Sequence, residues 1–277
     1  MAVAMKTVTA FVGAGRKGYT YQATREFLGQ LEALGGIETE LVRLSDYHLE
    51  PCRGCKLCFE KGEEFCPLKD DRDLLLAKMR DADGVVLASP NYTFQVSGLM
   101  KLFLDRLGYQ CHRPESHGKM FTSIVVQGFF GGGKILKYFD LMGMALGFDV
   151  VKGTCSTALV PMTEKERQER DAALAKQAER FHAQLAKGVP HVPGLLELVM
   201  FRMGRNNVRI ELAEADADYK YYAERGWFDS DYFYPTRLGF MKRSLGRLAD
   251  AYFARSIASK AAQRERLTGG RTGAGIA

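Results

Sequence analysis

The chain has 277 residues, 46% apolar and 26% charged, with a net charge of +6 and a pI near 8.9. That length fills one large domain, or a domain with an extension, and its basic residues are mixed with acids rather than gathered into the stripe of a nucleic-acid-binding protein. No apolar run approaches the roughly 18 residues of a membrane span, and MAVAMKTVTAFVGAG reads as a first strand rather than a signal peptide, so the cytoplasm is the expected location.

In chain order, Thr7–Val12 is a short apolar run that enters the glycine turn Gly13-Ala14-Gly15-Arg16-Lys17-Gly18, as a buried strand would. Phe27, Leu28, Leu31 and Leu34 then recur at helical spacing, and Gly35-Gly36 stops that helix before a second strand over Ile37–Leu44. After an irregular stretch from Ser45 to Asp71, Arg72–Asp81 predicts a short helix and Gly84–Ala88 a strongly buried strand. That strand runs into Ser89-Pro90-Asn91-Tyr92-Thr93-Phe94, with a helix from about Ser97 to Leu107. Thr122–Val126 is a fourth strand, followed by Gln127-Gly128-Phe129-Phe130-Gly131-Gly132-Gly133 and a helix through Leu146. Phe148–Val151 begins a fifth strand, and Thr163 with Glu166 forms a capping-box pair opening a helix to Lys187.

Strands alternating with helical crossovers predict a doubly wound, five-stranded parallel sheet with helices on both faces. Ligands bind such sheets at the carboxyl ends of the strands, where the three unusual loops lie. Residues 1–190 are expected to form this domain, with a cysteine-rich loop over 45–71. Residues 191–277 are expected to form a helical extension with a disordered basic tail from about Ser259. In the extension Leu195, Leu196, Val199, Met200 and Met203 form an apolar stripe, for core or partner packing. Arg202, Arg205 and Arg209 beside it give peripheral membrane contact as a second reading.

Gly13, Gly15 and Gly18 match the dinucleotide fingerprint letter for letter, after a strand and before a helix, where free amides attract phosphate. Tyr19-Thr20 stand where a Walker loop needs Lys-Ser/Thr, and Arg43 and Ser45 stand near where a Rossmann fold wants an acid. Phosphate binding and a merely structural turn both remain open. Cys52, Cys55 and Cys58, spaced C-x2-C-x2-C, are followed by Cys66-Pro67, a spacing that echoes ferredoxin-type loops. A cluster, redox-active thiols and zinc stay open as alternatives. Cys111 and Cys155 read as ordinary thiols, and His48, His112 and His117 as surface residues.

Taken together, the glycine turn, the four cysteines ending in Asp70-Asp71, and Ser89-Pro90-Asn91-Tyr92 leading to Ser97, Lys101, Asp105 and Arg106 resemble flavodoxin-like NAD(P)H-dependent FMN reductases. Within that family the nearest branch is the iron–sulfur flavoproteins, and the resemblance spans roughly residues 5–185. It implies FMN as cofactor, NAD(P)H as co-substrate, a small electron acceptor and a homodimer or homotetramer. It places Arg16, Gly18, Tyr19, Thr20 and Tyr21 around the FMN phosphate, and Pro90, Asn91, Tyr92, Thr93 and Phe94 against the isoalloxazine ring. Gln127, Gly128 and Gly131 fall on the ring's other side. Cys52, Cys55, Cys58 and Cys66 match the ligands of a [4Fe-4S] cluster. Relatives usually read Gly-Ser-Pro-Arg and Ser-Asn-Thr where this chain has Gly-Ala-Gly-Arg and Tyr19-Thr20-Tyr21, so two hydroxyl or amide ligands are lost or replaced. No Ser-His-Asp or HExxH arrangement is present, and flavin chemistry requires no separate general base.

Overall fold

Every residue of Gly84–Pro90 is buried, the mark of a strand covered on both faces. This segment lies at the middle of the sheet in a computed structural model that describes residues 5–159, 161–188 and 190–268. The chain resolves into two compact units: residues up to Gly54 with Pro67–His191, and Cys55–Cys66 with the segment from Val192 onward.

The first unit contains β1 (Lys6–Val12), α1 (Tyr19–Ala33) and β2 (Ile37–Arg43). The single-turn helix α2 (Leu57–Glu60) belongs to the second unit. The first unit then resumes with α3 (Arg72–Asp81), β3 (Gly84–Pro90), α4 (Gly98–Asp105), β4 (Met120–Gln127) and α5 (Gly132–Ala145). It ends with β5 (Asp149–Val150), β6 (Thr154–Thr157) and α6 (Glu164–Leu185). All pairings are parallel and the order is β2-β1-β3-β4-β5. The expected fifth strand is an interrupted one: β5 pairs with Met120–Phe121 and, after a break, β6 pairs with Ile124–Gln127.

Register decides what each face buries. Val8, Ala10, Val12, Val86, Ala88, Ile124 and Val126 join Phe27 and Leu31 of α1 and Leu174 and Phe181 of α6 in one core. The alternate residues turn the other way: Phe11 stacks on Phe103 of α4 at 5.1 Å, and Phe121 meets Phe148 at 5.7 Å. The capping box is present, with the Thr163 N–H donating to Glu166 Oε2 at 2.7 Å. Because the chain leaves β1 toward β2 and returns to place β3 on the opposite side, the sheet reverses winding between β1 and β3.

His117, expected at the surface, is packed beside Gly147 and Pro114. Burial pushes its pKa down to about 4, against the raising effects of the Gly147 backbone and Asp149. A histidine held below its unfolded value contributes stability that is complete above about pH 6.5 and is lost as pH falls toward 4. Denaturant titrations across that window should show up to ~3 kcal/mol of extra acid sensitivity that His117→Gln removes. Equal slopes in the two proteins refute it.

The second unit gathers α2 with α7 (Leu195–Glu211), α8 (Ala217–Glu224) and α9 (Phe240–Thr268). Its core is aromatic: Phe201, Tyr222, Trp227 and Tyr232 are buried with Leu198, Val208 and Leu238. The face of α7 that packs inward is therefore not the predicted stripe, since Leu195, Leu196 and Met203 are exposed. Arg202 and Arg205, read as surface cations, are buried. Their guanidinium groups meet the Asp250 carboxylate of α9, with Arg205 Nη2 at 2.6 Å, and Arg202 also donates to Asp231 Oδ1 at 2.7 Å. Residues 259–268, expected to be disordered, are helical; their Ala, Lys, Arg, Gln and Glu residues are strong helix formers. The rest of that predicted tail lies outside the described residues.

Candidate functional site: three loops at the carboxyl edge

Parallel strands end at one edge, and sheets of this kind bind ligands there, where the winding reverses between the first and third strands. The loop after β1 crosses that edge closely. A Cβ on Gly13 would lie 2.6 Å from Met100 Cβ and 2.9 Å from Ser97 Oγ, so only glycine lets the backbone pass. Ser97 fastens the crossing. Its hydroxyl donates to the Gly13 carbonyl and accepts the Met100 N–H at 3.1 Å as N-cap of α4, while its own N–H donates to Ser89 Oγ at 2.9 Å.

Gly18 caps α1 without a side-chain hydrogen bond, and the first turn contains no acidic residue. The opening amides of a 15-residue helix thus have no side-chain cap at its positive dipole end. Arg16 and Lys17 are exposed beside them. Of the predicted phosphate residues, Arg16 and Gly18 lie on the loop, Tyr19 packs against the core and Thr20 is buried in the first turn. The ring of Tyr21 lies 5.8 Å from Lys17 Nζ. An uncapped, acid-free helix start flanked by cations fits a phosphate group.

The loop after β3 is strained. Tyr92 and Gln95 exchange both backbone hydrogen bonds at 3.0 Å, leaving Thr93 and Phe94 as a two-residue turn with φ of 51° and 64°. Such a turn ordinarily takes Asn-Gly, and two L side chains in the left-handed region cost ~1–3 kcal/mol each. The conformation pushes Tyr92 and Phe94 outward, where Phe94 meets Phe130 at 5.2 Å. Asn91 Nδ2 donates to the Phe130 carbonyl at 2.8 Å, while its buried Oδ1 has no hydrogen-bond partner. The aromatic pair Phe129-Phe130 was missed in the sequence, although two exposed phenylalanines inside a glycine-rich loop are themselves a signal.

The loop after β4 faces the same place. Gly131 has φ 97°, and a Cβ there would lie 3.0 Å from Phe94. Gln127 is occupied structurally: its Oε1 accepts the Gly132 N–H at 2.7 Å and its Nε2 donates to Thr157. Gly128 is exposed. Replacing Thr93-Phe94 with Asn-Gly should raise the midpoint of chemical unfolding by relieving ~1–3 kcal/mol of strain. The same change should weaken binding of a planar aromatic ligand; unchanged stability would mean the turn is not strained.

Near the same edge, the neck of the cysteine-rich loop is clamped. Asp71 Oδ2 accepts the His48 N–H at 2.7 Å, and Asp70 Oδ2 accepts the Glu50 N–H at 2.8 Å. Arg106, almost wholly buried, pairs with Asp70 and donates to the Glu50 carbonyl at 3.0 Å. Burial alone would raise the Asp70 pKa, but the Glu50 amide and Arg106 hold it below the usual carboxylate value. Beyond the neck, Cys52 and Cys55 are exposed and Cys58 and Cys66 half-buried. Among the described residues no three His, Cys, Asp or Glu side chains are gathered as a metal-ligand set.

A parallel sheet ordered 2-1-3-4-5, reversing its winding between the first and third strands, is the flavodoxin-like arrangement. The family model for NADPH-dependent FMN reductases matches residues 6–158, and the chain belongs to that family. It is 46% identical over 90 residues to an iron–sulfur flavoprotein of Methanocaldococcus jannaschii, a match covering 32% of this chain and 45% of that protein. With an iron–sulfur flavoprotein of Archaeoglobus fulgidus it shares 37% identity over 162 residues, 54% of this chain and 71% of that one. Among solved structures, RosB with a bound 8-demethyl-8-formylriboflavin 5'-phosphate intermediate is similar, with a TM-score of 0.53 and 16% identity. That match covers 85% of this chain and 92% of RosB.

Proposed function

We propose that the chain binds FMN at the carboxyl edge of its sheet and acts as an FMN-dependent oxidoreductase. It would draw electrons from NAD(P)H and pass them to a quinone, flavin or other small acceptor. The observation that carries this reading is the uncapped, acid-free, cation-flanked start of α1 beside a strained turn bearing exposed aromatics. When bound, FMN supplies the hydride and electron chemistry. The chain's own part is to hold and orient it. The amides of α1 and Arg16 bind the phosphate, and the Pro90–Phe94 and Gln127–Gly131 loops set the ring's plane. The aromatic side chains exclude water. A cytoplasmic homodimer or homotetramer belongs to the same reading.

Titration of the apo-protein with FMN, followed by anaerobic mixing with NADH or NADPH, tests it. Saturable flavin binding and bleaching of the flavin absorbance are expected. Failure to bind FMN, or FMN-replete protein that either nucleotide leaves oxidised, overturns it.

A second reading is an iron–sulfur flavoprotein that relays electrons between protein partners. The C-x2-C-x2-C spacing with Cys66 and the names of the relatives support it. Iron and sulfide analysis of anaerobically purified protein decides: flavin-replete protein free of iron ends this reading and leaves the first intact.

A further inference from the structure

Helix α9 has a face that nothing in the described structure covers. Met241, Leu245, Leu248 and Tyr252 follow one another at spacings of four, three and four, which places them along one side of a helix. They are 75, 45, 68 and 68% exposed, and Phe240 at the start of the helix is 84% exposed. A different side packs on α7, where Gly246 approaches the Arg202 guanidinium and Asp250 binds Arg202 and Arg205. The apolar line is thus surplus to the core of its own unit.

The charge of the helix narrows what can cover it. Phe240–Thr268 contains seven basic residues and two acidic ones, a net +5. One of the acids, Asp250, is already committed to buried arginines. Arg247, Arg255, Lys260 and Arg266 are exposed. Arg255 comes three residues after Tyr252, so the apolar line passes directly into a basic one. A second copy of the chain would bring an equal positive charge, and the line from Met241 to Tyr252 is shorter than the three to four heptads of a coiled coil. An anionic surface meets both halves at once: apolar and aromatic side chains enter the interface, and cations meet the headgroup phosphates. No helix among the described residues is long and apolar enough to cross a membrane, so the contact is a peripheral one.

We propose that α9 docks the protein on an anionic lipid surface through Phe240, Met241, Leu245, Leu248 and Tyr252, with Arg255, Lys260 and Arg266 engaging the headgroups. This does not depend on the reading of the flavin site. It is tested with the full chain by sedimentation with phosphatidylcholine vesicles and with vesicles also containing about 30% phosphatidylserine. Binding to the anionic vesicles should be at least ~10-fold tighter and should weaken with added salt. The exposed-site variant L248E/Y252E should lose about tenfold in binding. Its Trp227 emission and melting temperature should match the parent, showing that the fold is intact. R255E/R266E should abolish the preference for anionic vesicles. Absence of binding to the anionic vesicles, or equal binding to both compositions, overturns the proposal. So does a concentration-dependent dimer lost in L248E/Y252E, which would assign the face to a second copy.

Discussion

Asp250→Ala should lower the stability of the C-terminal unit by about 3–5 kcal/mol, the usual cost of removing one partner from buried charges. The carboxylate accepts from Arg202, Arg205 and Asn206 together. Arg202 and Arg205 keep only 4 and 9% of their side-chain surface. Each retains a second partner, Asp231 for Arg202 and the Ser230 carbonyl for Arg205, so the loss is large without stripping both guanidinium groups bare. The readout is specific. Trp227 is the only tryptophan of the chain and lies in the aromatic core of this unit. Its fluorescence in a urea titration should therefore move to a markedly lower midpoint. A midpoint within error of the parent would mean that the network contributes no net stability.

Arg106→Met should cost the first unit a similar ~3–5 kcal/mol, because Asp70 would be left charged, desolvated and without its guanidinium. The Glu50 carbonyl would lose a donor as well. Far-UV circular dichroism in a denaturant titration should show the loss as a lower midpoint. Combining Arg106→Met with Asp70→Leu should recover much of the loss, since the stranded charge rather than the missing attraction carries most of the penalty. If the double variant is no more stable than the single one, the pair itself is the stabilising element.

These two networks show how far local reading reaches. The sheet was legible because parallel strands buried on both faces are written as unbroken apolar runs, and Gly84–Ala88 is recognisable from five letters. The start of α6 was legible because a capping box is complete within four residues. The three loops lie at the carboxyl edge, as expected, because chain order fixes which strand ends neighbour each other. Their strain was invisible, since nothing in Thr93-Phe94 announces a left-handed turn. Arg202 and Arg205 were misjudged because their counter-ion stands 45–48 residues away on another helix. From a local window a cation beside apolar residues looks like a surface stripe. The helical stretch to Thr268 was missed because the glycines beyond it diluted the composition of a good helix-forming segment.

The division of the chain has a topological consequence. The polypeptide passes from one unit to the other three times, after Gly54, after Cys66 and after His191. A single protease cut between Gly188 and Gly194 would therefore not release a whole second unit. The larger product would keep Cys55–Cys66, whose α2 packs against α8 on the smaller one. Truncation there likewise removes only part of a folding unit and strands the rest. The cysteine segment is in this sense a thread, stitching an apparent appendage into the sheet domain's own sequence.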